Sequence, residues 1–114
     1  MYALKYHRSV ASRWHEFTRG QRILMIASEV QRAWKMLSID DRAEAVNAYE
    51  RAFELLDLTI SLDCSYSERY ELLRFREMMG HAYLNETENA AFVSKLLDVL
   101  ISLDADSYKT LHGA

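Results

Sequence analysis

The chain has 114 residues, a net charge of −3, no proline and three glycines, and 50% of its residues are hydrophobic. A chain of this length forms one domain around one core, and its composition is too apolar for a disordered protein. Strand-rich folds need frequent turn residues, so the scarcity of glycine and proline argues against them and favours helices.

Residues 1–17 precede the first strongly periodic segment, and we expect an N-terminal arm or a short helix there. Within it, Ser9 to Phe17 form either a separate helical turn or an extension of the helix that follows. Charge interrupts the opening residues too early for a signal peptide, and no apolar run reaches the roughly 18 residues of a membrane span. We therefore expect a cytoplasmic protein with no membrane partner.

The first strong helical pattern covers about residues 19–37. Its apolar residues recur at spacings of four and three, which places them on one helix face. Thr18 and Gln21 have the spacing of a capping box, which predicts that the helix begins there. The apolar face consists of Ile23, Ala27, Val30, Trp34 and Leu37, and Ile26 and Ala33 widen it.

The second helix is predicted to begin after Ser38 or Asp40 and to reach about residue 62. Its apolar seam is Val46, Tyr49, Phe53, Leu56 and Ile60. Beside the seam runs a row of small residues, Ala45, Ala48 and Ala52, which lets a neighbouring helix approach closely. Its carboxylates are interpreted as a solvated face: Glu44, Glu50, Glu54 and Asp57.

A third helix is predicted from a capping box of Ser65 and Glu68 to about residue 85. Gly80 lies inside it and marks either a close crossing or an early end, since glycine weakens a helix. The apolar face consists of Leu72, Phe75, Met79 and Ala82, with Tyr70, Leu73 and Tyr83 beside it.

The fourth helix is predicted over about residues 86–103, with a main seam of Val93, Leu96, Leu100 and Leu103. Four further apolar residues broaden its apolar arc beyond what a surface helix needs. Either this helix is central, or one flank remains available to a partner. The four residues are Phe92, Leu97, Val99 and Ile101.

Short connections between four such helices imply antiparallel neighbours. We therefore predict one all-α domain over residues 1–114, a short antiparallel four-helix bundle of up-and-down order with an N-terminal arm. Residues 104–114 have weak periodicity and are expected to form a frayed tail.

The sequence supports no catalytic, metal or cofactor site. No histidine has a carboxylate three residues before it, as the di-iron sites of helix bundles require. Glu77 and His81 are interpreted as an exposed helix pair, and the lone Cys64 has no local signature of a nucleophile. The three glycines are too far apart for a phosphate loop. We do not expect an enzyme.

Charge is unevenly distributed: residues 1–35 hold seven basic residues against two acidic ones, and residues 36–114 hold seven against fifteen. The basic end could contact nucleic acid, or a basic helix could pack among acidic ones. Overall acidity opposes nucleic-acid binding, because phosphate contacts supply most of its non-specific affinity.

Several features follow one another along the chain: an opening Met1-Tyr2-Ala3 with Tyr6, the run Ile23-Leu24-Met25-Ile26, the run Ala52-Phe53-Glu54-Leu55-Leu56-Asp57, the pair Leu72 and Leu73, and a leucine-rich fourth helix. Their order resembles that of the flagellin export chaperones, the FliS family. It implies a cytoplasmic helical bundle that binds the disordered C-terminal part of flagellin and prevents its premature polymerisation.

Under that resemblance, apolar grooves between helices accept segments of the client. The expected partner-binding residues are Phe92, Leu97, Val99 and Ile101, with Tyr2 and Tyr6 as a strap over the groove when no client is present. The alternative is a structural or regulatory bundle that forms a homodimer through the wide face of the fourth helix.

Overall fold

The computed structural model describes residues 7–62, 65–84 and 90–103, and all regular structure in these ranges is helical. The prediction of an all-α chain is confirmed. The predictions for Tyr2, Tyr6, Cys64 and residues 104–114 lie outside the described residues. The elements are α1 (Arg8–Ala11), a 3-10 helix (Trp14–Glu16), α2 (Arg19–Ser38), α3 (Arg42–Ile60), α4 (Tyr66–Leu84) and α5 (Ala90–Ser102).

Side-chain caps explain where the long helices begin. The Thr18 hydroxyl accepts a hydrogen bond from the Gln21 amide at 3.1 Å, and the Gln21 side chain accepts one from the Thr18 amide at 2.8 Å. This is the predicted capping box. Asp41 caps α3 by accepting from the Glu44 amide at 3.2 Å, so the helix begins after Asp40 rather than after Ser38.

The turn between α2 and α3 requires a left-handed residue. Asp40 has a φ of 61°, the one positive value among the described non-glycine residues. Its amide donates to the Leu37 carbonyl at 3.1 Å, and the Asp41 amide donates to the Met36 carbonyl at 2.8 Å. These two bonds form a Schellman motif that satisfies the last carbonyls of α2.

Each long helix packs against two others: α2 against α3 and α5, and α4 against α3 and α5. The contact between α2 and α3 is the most extensive, and those of α4 are the least extensive. The predicted alanine row of α3 is inside the fold, because Ala45, Ala48 and Ala52 are all fully buried. Such small residues let a neighbouring helix approach closely.

The core face of α2 is shifted from the predicted one. Trp34 was expected there, but its side chain is 38% exposed, and Ala33 is fully buried. The buried residues of α2 are Ile23, Ile26, Ala27, Val30 and Ala33.

The interpretation of Glu54 as part of a solvated face is wrong. Glu54 is only 4% exposed. Its Oε1 accepts a hydrogen bond from the His7 amide at 3.2 Å and lies 3.3 Å from His7 Nδ1. A buried carboxylate needs such partners, and here the N-terminal segment supplies them across the chain.

Residues 7–17 form a separate helical segment that belongs to the packed fold. Trp14 is 1% exposed and lies in the same core cluster as α2 and α3. The Arg22 guanidinium donates to the carbonyls of Trp14 at 3.4 Å and Phe17 at 2.6 Å, which joins the 3-10 helix to α2. The sequence left two predictions open for Ser9 to Phe17. The prediction of a separate helical turn is confirmed, and the prediction that these residues extend α2 is wrong.

Candidate protein-binding surface on α4

The structure places the four expected partner-binding residues of α5 in different environments. Ile101 is fully buried in the core, so its assignment to an accessible flank is wrong. Phe92 and Leu97 are partly buried and pack against the core cluster. Val99 is 41% exposed and is the member of the set that most clearly reaches the surface.

The broad apolar arc of α5 follows from its position. The helix contacts both α2 and α4, so it needs apolar side chains in two directions. Val93, Leu96, Leu100 and Ile101 are accordingly buried. Most of the arc therefore belongs to the core, and the accessible apolar surface lies elsewhere.

Among the described residues, the largest set of exposed apolar side chains lies on α4. Tyr66 is 86% exposed, Tyr70 51%, Leu73 48% and Leu84 79%. The spacings of four, three and eleven residues place all four on one line along the helix. We call this line the outer stripe. It lies opposite the buried face of α4, which consists of Leu72, Phe75, Met79 and Ala82.

The outer stripe is not among the sequence predictions, which place Tyr70 and Leu73 beside the core face of α4. The signal that could have found it is a second apolar periodicity within the same helix. Residues 66, 70 and 73 recur at helical spacing, about half a turn away from the row that begins at Leu72. The helix therefore carries two opposed apolar rows, one buried and one exposed.

A shallow groove lies beside the outer stripe, between α4 and α5, with a volume of about 290 Å³. Glu71 and Arg74 stand at its polar edge. Its apolar lining consists of Phe75 and Met78 from α4, Val99 from α5 and Leu103 just beyond it. The groove therefore joins one predicted binding residue, Val99, to the exposed side of α4.

The flanks of the outer stripe are basic. The guanidinium carbon of Arg74 lies 5.9 Å from the centre of the Tyr70 ring, within reach of a cation–π interaction. On the other flank, Arg69 donates to the Leu62 carbonyl at 3.1 Å, and Arg76 binds Asp57 at 2.7 Å. Among the residues that the structure describes, neither Arg69 nor Arg74 forms an ion pair with a carboxylate.

A second charged cluster joins α2 to α3 and is structural in character. Arg51 binds Glu29 and lies 3.4 Å from Glu44, and Arg32 lies 3.6 Å from Glu44. The pKa of Glu44 is lowered, and the largest cause is a hydrogen bond from Asn47. The hydrogen bond and charge of Arg51 and the charge of Arg32 lower this pKa further, whereas burial acts in the opposite direction. Burial opposes the charge on Arg51, but Glu29 and Glu44 outweigh it and raise its pKa.

Other kinds of site receive no support from the geometry. In residues 7–62, 65–84 and 90–103, no group of three or more His, Cys, Asp or Glu side chains is placed to hold a metal ion. Within the same part of the chain, no helix combines the length and apolarity that crossing a membrane requires. Glu77 and His81 are both exposed on the outer side of α4.

Comparison with known proteins finds no match among protein-family models, curated proteins or solved structures.

Proposed function

We propose that this chain is a non-enzymatic binding protein, built as an antiparallel up-and-down four-helix bundle, that binds an apolar helical segment of a client protein. The client lies along the outer stripe of α4 and inserts a side chain into the adjoining α4–α5 groove. One observation carries the proposal: four large apolar side chains, 48–86% exposed, lie on a single line opposite the core.

A cluster of exposed apolar side chains such as Tyr66, Tyr70 and Leu73 marks interaction sites in small proteins, because water disfavours the exposure of apolar surface. A stripe along one helix matches the helix-in-groove mode of peptide recognition, in which anchors recur every three or four residues. Aromatic anchors such as Tyr66 and Tyr70 contribute strongly to such contacts, since they cover a large area at low entropic cost.

The resemblance to the flagellin export chaperones supplies a first client to test. In that case the protein is a cytoplasmic export chaperone, and the disordered C-terminal part of flagellin folds as a helix against α4. The groove-lining Val99 stays in the proposed site, together with the partly buried Phe92 and Leu97. Tyr2 and Tyr6 remain proposed as a strap over the site.

The proposal is tested by peptide binding to the purified protein and to a variant with the stripe removed. The probes are a fluorescent peptide from the flagellin C-terminus and a displayed library of amphipathic helices. The triple variant Tyr66→Ser, Tyr70→Ser, Leu73→Ser is expected to weaken binding by at least about tenfold. Because these side chains are exposed, the variant should retain its helical circular dichroism.

Ile39→Ser is the matched control, because Ile39 is 63% exposed but lies at the α2–α3 turn. It is expected to leave peptide binding unchanged. If no helical peptide binds more tightly than about 100 μM, or if the triple variant binds as well as the parent, the proposal is wrong. A stable dimer that dissociates on loss of the stripe would favour the homodimeric alternative instead.

A further inference from the structure

The spacing along the outer side of α4 fits a heptad repeat. Starting at Tyr66, the outward positions follow one another at intervals of four, three, four, three and four residues, ending at Leu84. This alternation is the spacing of an a/d seam, by which one helix packs along another, and apolar residues occupy four of the six positions. The six positions are Tyr66, Tyr70, Leu73, Glu77, Gly80 and Leu84.

The seam spans most of the helix and is not used by the described part of the chain. At 1.5 Å per residue, the eighteen steps from Tyr66 to Leu84 extend over about 27 Å. At Gly80, a methyl group in place of the glycine hydrogen would meet no neighbouring atom within 4 Å. The glycine therefore serves no close crossing inside the described chain, and another helix can approach the backbone there.

The positions beside this seam are basic on both sides. In the same heptad frame, Arg74 and His81 occupy two of the three e positions, and Arg69 and Arg76 occupy two of the three g positions. The remaining two are the uncharged Ser67 and Tyr83. Arg76 is neutralised by Asp57 at 2.7 Å. Arg69 and Arg74 form no ion pair among the described residues, so each side of the seam carries an arginine that no described carboxylate binds directly.

Residues at e and g select coiled-coil partners through their charge. A second copy of α4 would bring basic flanks against basic flanks in either orientation, which disfavours self-association. Glu77 in the middle of the seam opposes binding of nucleic-acid phosphates, although tyrosines and arginines occur together here. The chain carries a net charge of −3, so this basic face is a local feature rather than a general one.

We propose that the partner of the outer stripe is an acidic amphipathic helix, with apolar residues in heptad register and Asp or Glu at its e and g positions. This inference rests on the proposed function and specifies the chemistry of the client. The apolar residues of the partner cover Tyr70 and Leu73, and its carboxylates pair with Arg69 and Arg74. Opposite Glu77, a polar or basic residue of the partner avoids burying an unpaired charge.

The test compares two synthetic four-heptad peptides that share leucine at a and d. One carries glutamate at e and g, and the other carries lysine there, so like charges keep each peptide from pairing with itself. Fluorescence anisotropy at low salt should show the glutamate peptide binding about tenfold more tightly than the lysine peptide. The difference should shrink as salt is added.

The charge-swap variant Arg69→Glu, Arg74→Glu is expected to reverse this order and to prefer the lysine peptide. The control variant Arg13→Glu, Lys35→Glu makes the same change in net charge at exposed residues outside α4, and it should keep the original preference. Each variant is judged by the ratio of its affinities for the two peptides. A partial loss of stability lowers both affinities together, so it does not change this ratio.

The outcomes separate the inference from the proposed function. If both peptides bind equally, or the lysine peptide binds better, and the stripe variant still abolishes binding, the charge inference is wrong while the proposed function stands. If neither peptide nor any library helix binds, the proposed function itself is wrong. Competition by a single-stranded oligonucleotide, or a dimer formed through α4, would also overturn the acidic-helix inference.

Discussion

The indole N–H of Trp14 donates a hydrogen bond to the hydroxyl of Thr59 at 2.9 Å, inside the core. The Thr59 hydroxyl in turn donates to the Leu55 carbonyl at 2.8 Å. Both polar atoms of this pair are therefore satisfied away from water. The contact joins the 3-10 helix to α3 across 45 residues of sequence.

Thr59→Val is expected to destabilise the protein by about 1–3 kcal/mol, because it leaves the buried indole N–H without an acceptor at nearly constant volume. Urea unfolding measures the change. In a Trp14→Phe background no indole N–H remains to be left unpaired, so the same substitution should cost about 1 kcal/mol less. Equal costs in the two backgrounds would show that the hydrogen bond contributes nothing.

Asp40→Gly is expected to stabilise the protein by on the order of 1 kcal/mol. Asp40 occupies the left-handed region with a φ of 61°, where a Cβ is unfavourable and glycine is not. Asp40→Ala should destabilise it, since alanine keeps the Cβ and loses the polar side chain. Thermal unfolding of the three proteins gives the order, and a glycine variant less stable than the parent would contradict it.

Gly80→Ala is expected to stabilise the free protein by about 1 kcal/mol, because alanine is the better helix former. No described atom lies within 4 Å of the added methyl group, so no clash offsets this gain. Chemical denaturation measures the effect. A destabilised Gly80→Ala variant would indicate that the space beside Gly80 is filled in the folded protein.

Two substitutions in α5 distinguish its core from its surface. Ile101→Ala removes a fully buried side chain and should cost about 2–5 kcal/mol. Val99→Ala, at a position that is 41% exposed, should cost only about 0.5 kcal/mol. Equal effects in urea unfolding would contradict the assignment of Ile101 to the core and Val99 to the groove.

The stability of the folded protein should depend on the ionisation of Glu44. Its pKa is lowered in the fold by Asn47, Arg51 and Arg32, so the folded state binds a proton less readily than the unfolded state. The stabilising contribution is therefore present above the unfolded pKa and is lost as pH falls through the lower folded pKa.

Glu44→Gln should accordingly lower the urea midpoint at about pH 7, and the difference from the parent should shrink towards about pH 3. Added salt should reduce the neutral-pH difference, because the carboxylate is partly exposed. A difference that grows on acidification would contradict the assigned direction of the pKa change.

Much of the architecture was accessible from local patterns. The capping box of Thr18 and Gln21 located the start of α2, and the spacing of Leu72, Phe75, Met79 and Ala82 identified every buried residue of α4. Such features depend on residues within one or two helical turns, where the chain's own periodicity decides which side chains share a face. The up-and-down order of the helices stays a prediction.

Only tertiary packing decided which polar and apolar residues reach water. Glu54 has the sequence context of a surface carboxylate, yet the N-terminal segment covers it and His7 binds it. Ile101 and Leu73 are equally apolar, but α5 lies against two helices while the outer side of α4 faces none of the described ones. The burial of a side chain depends on which segment, distant in sequence, packs over it. Helical periodicity does not contain that information.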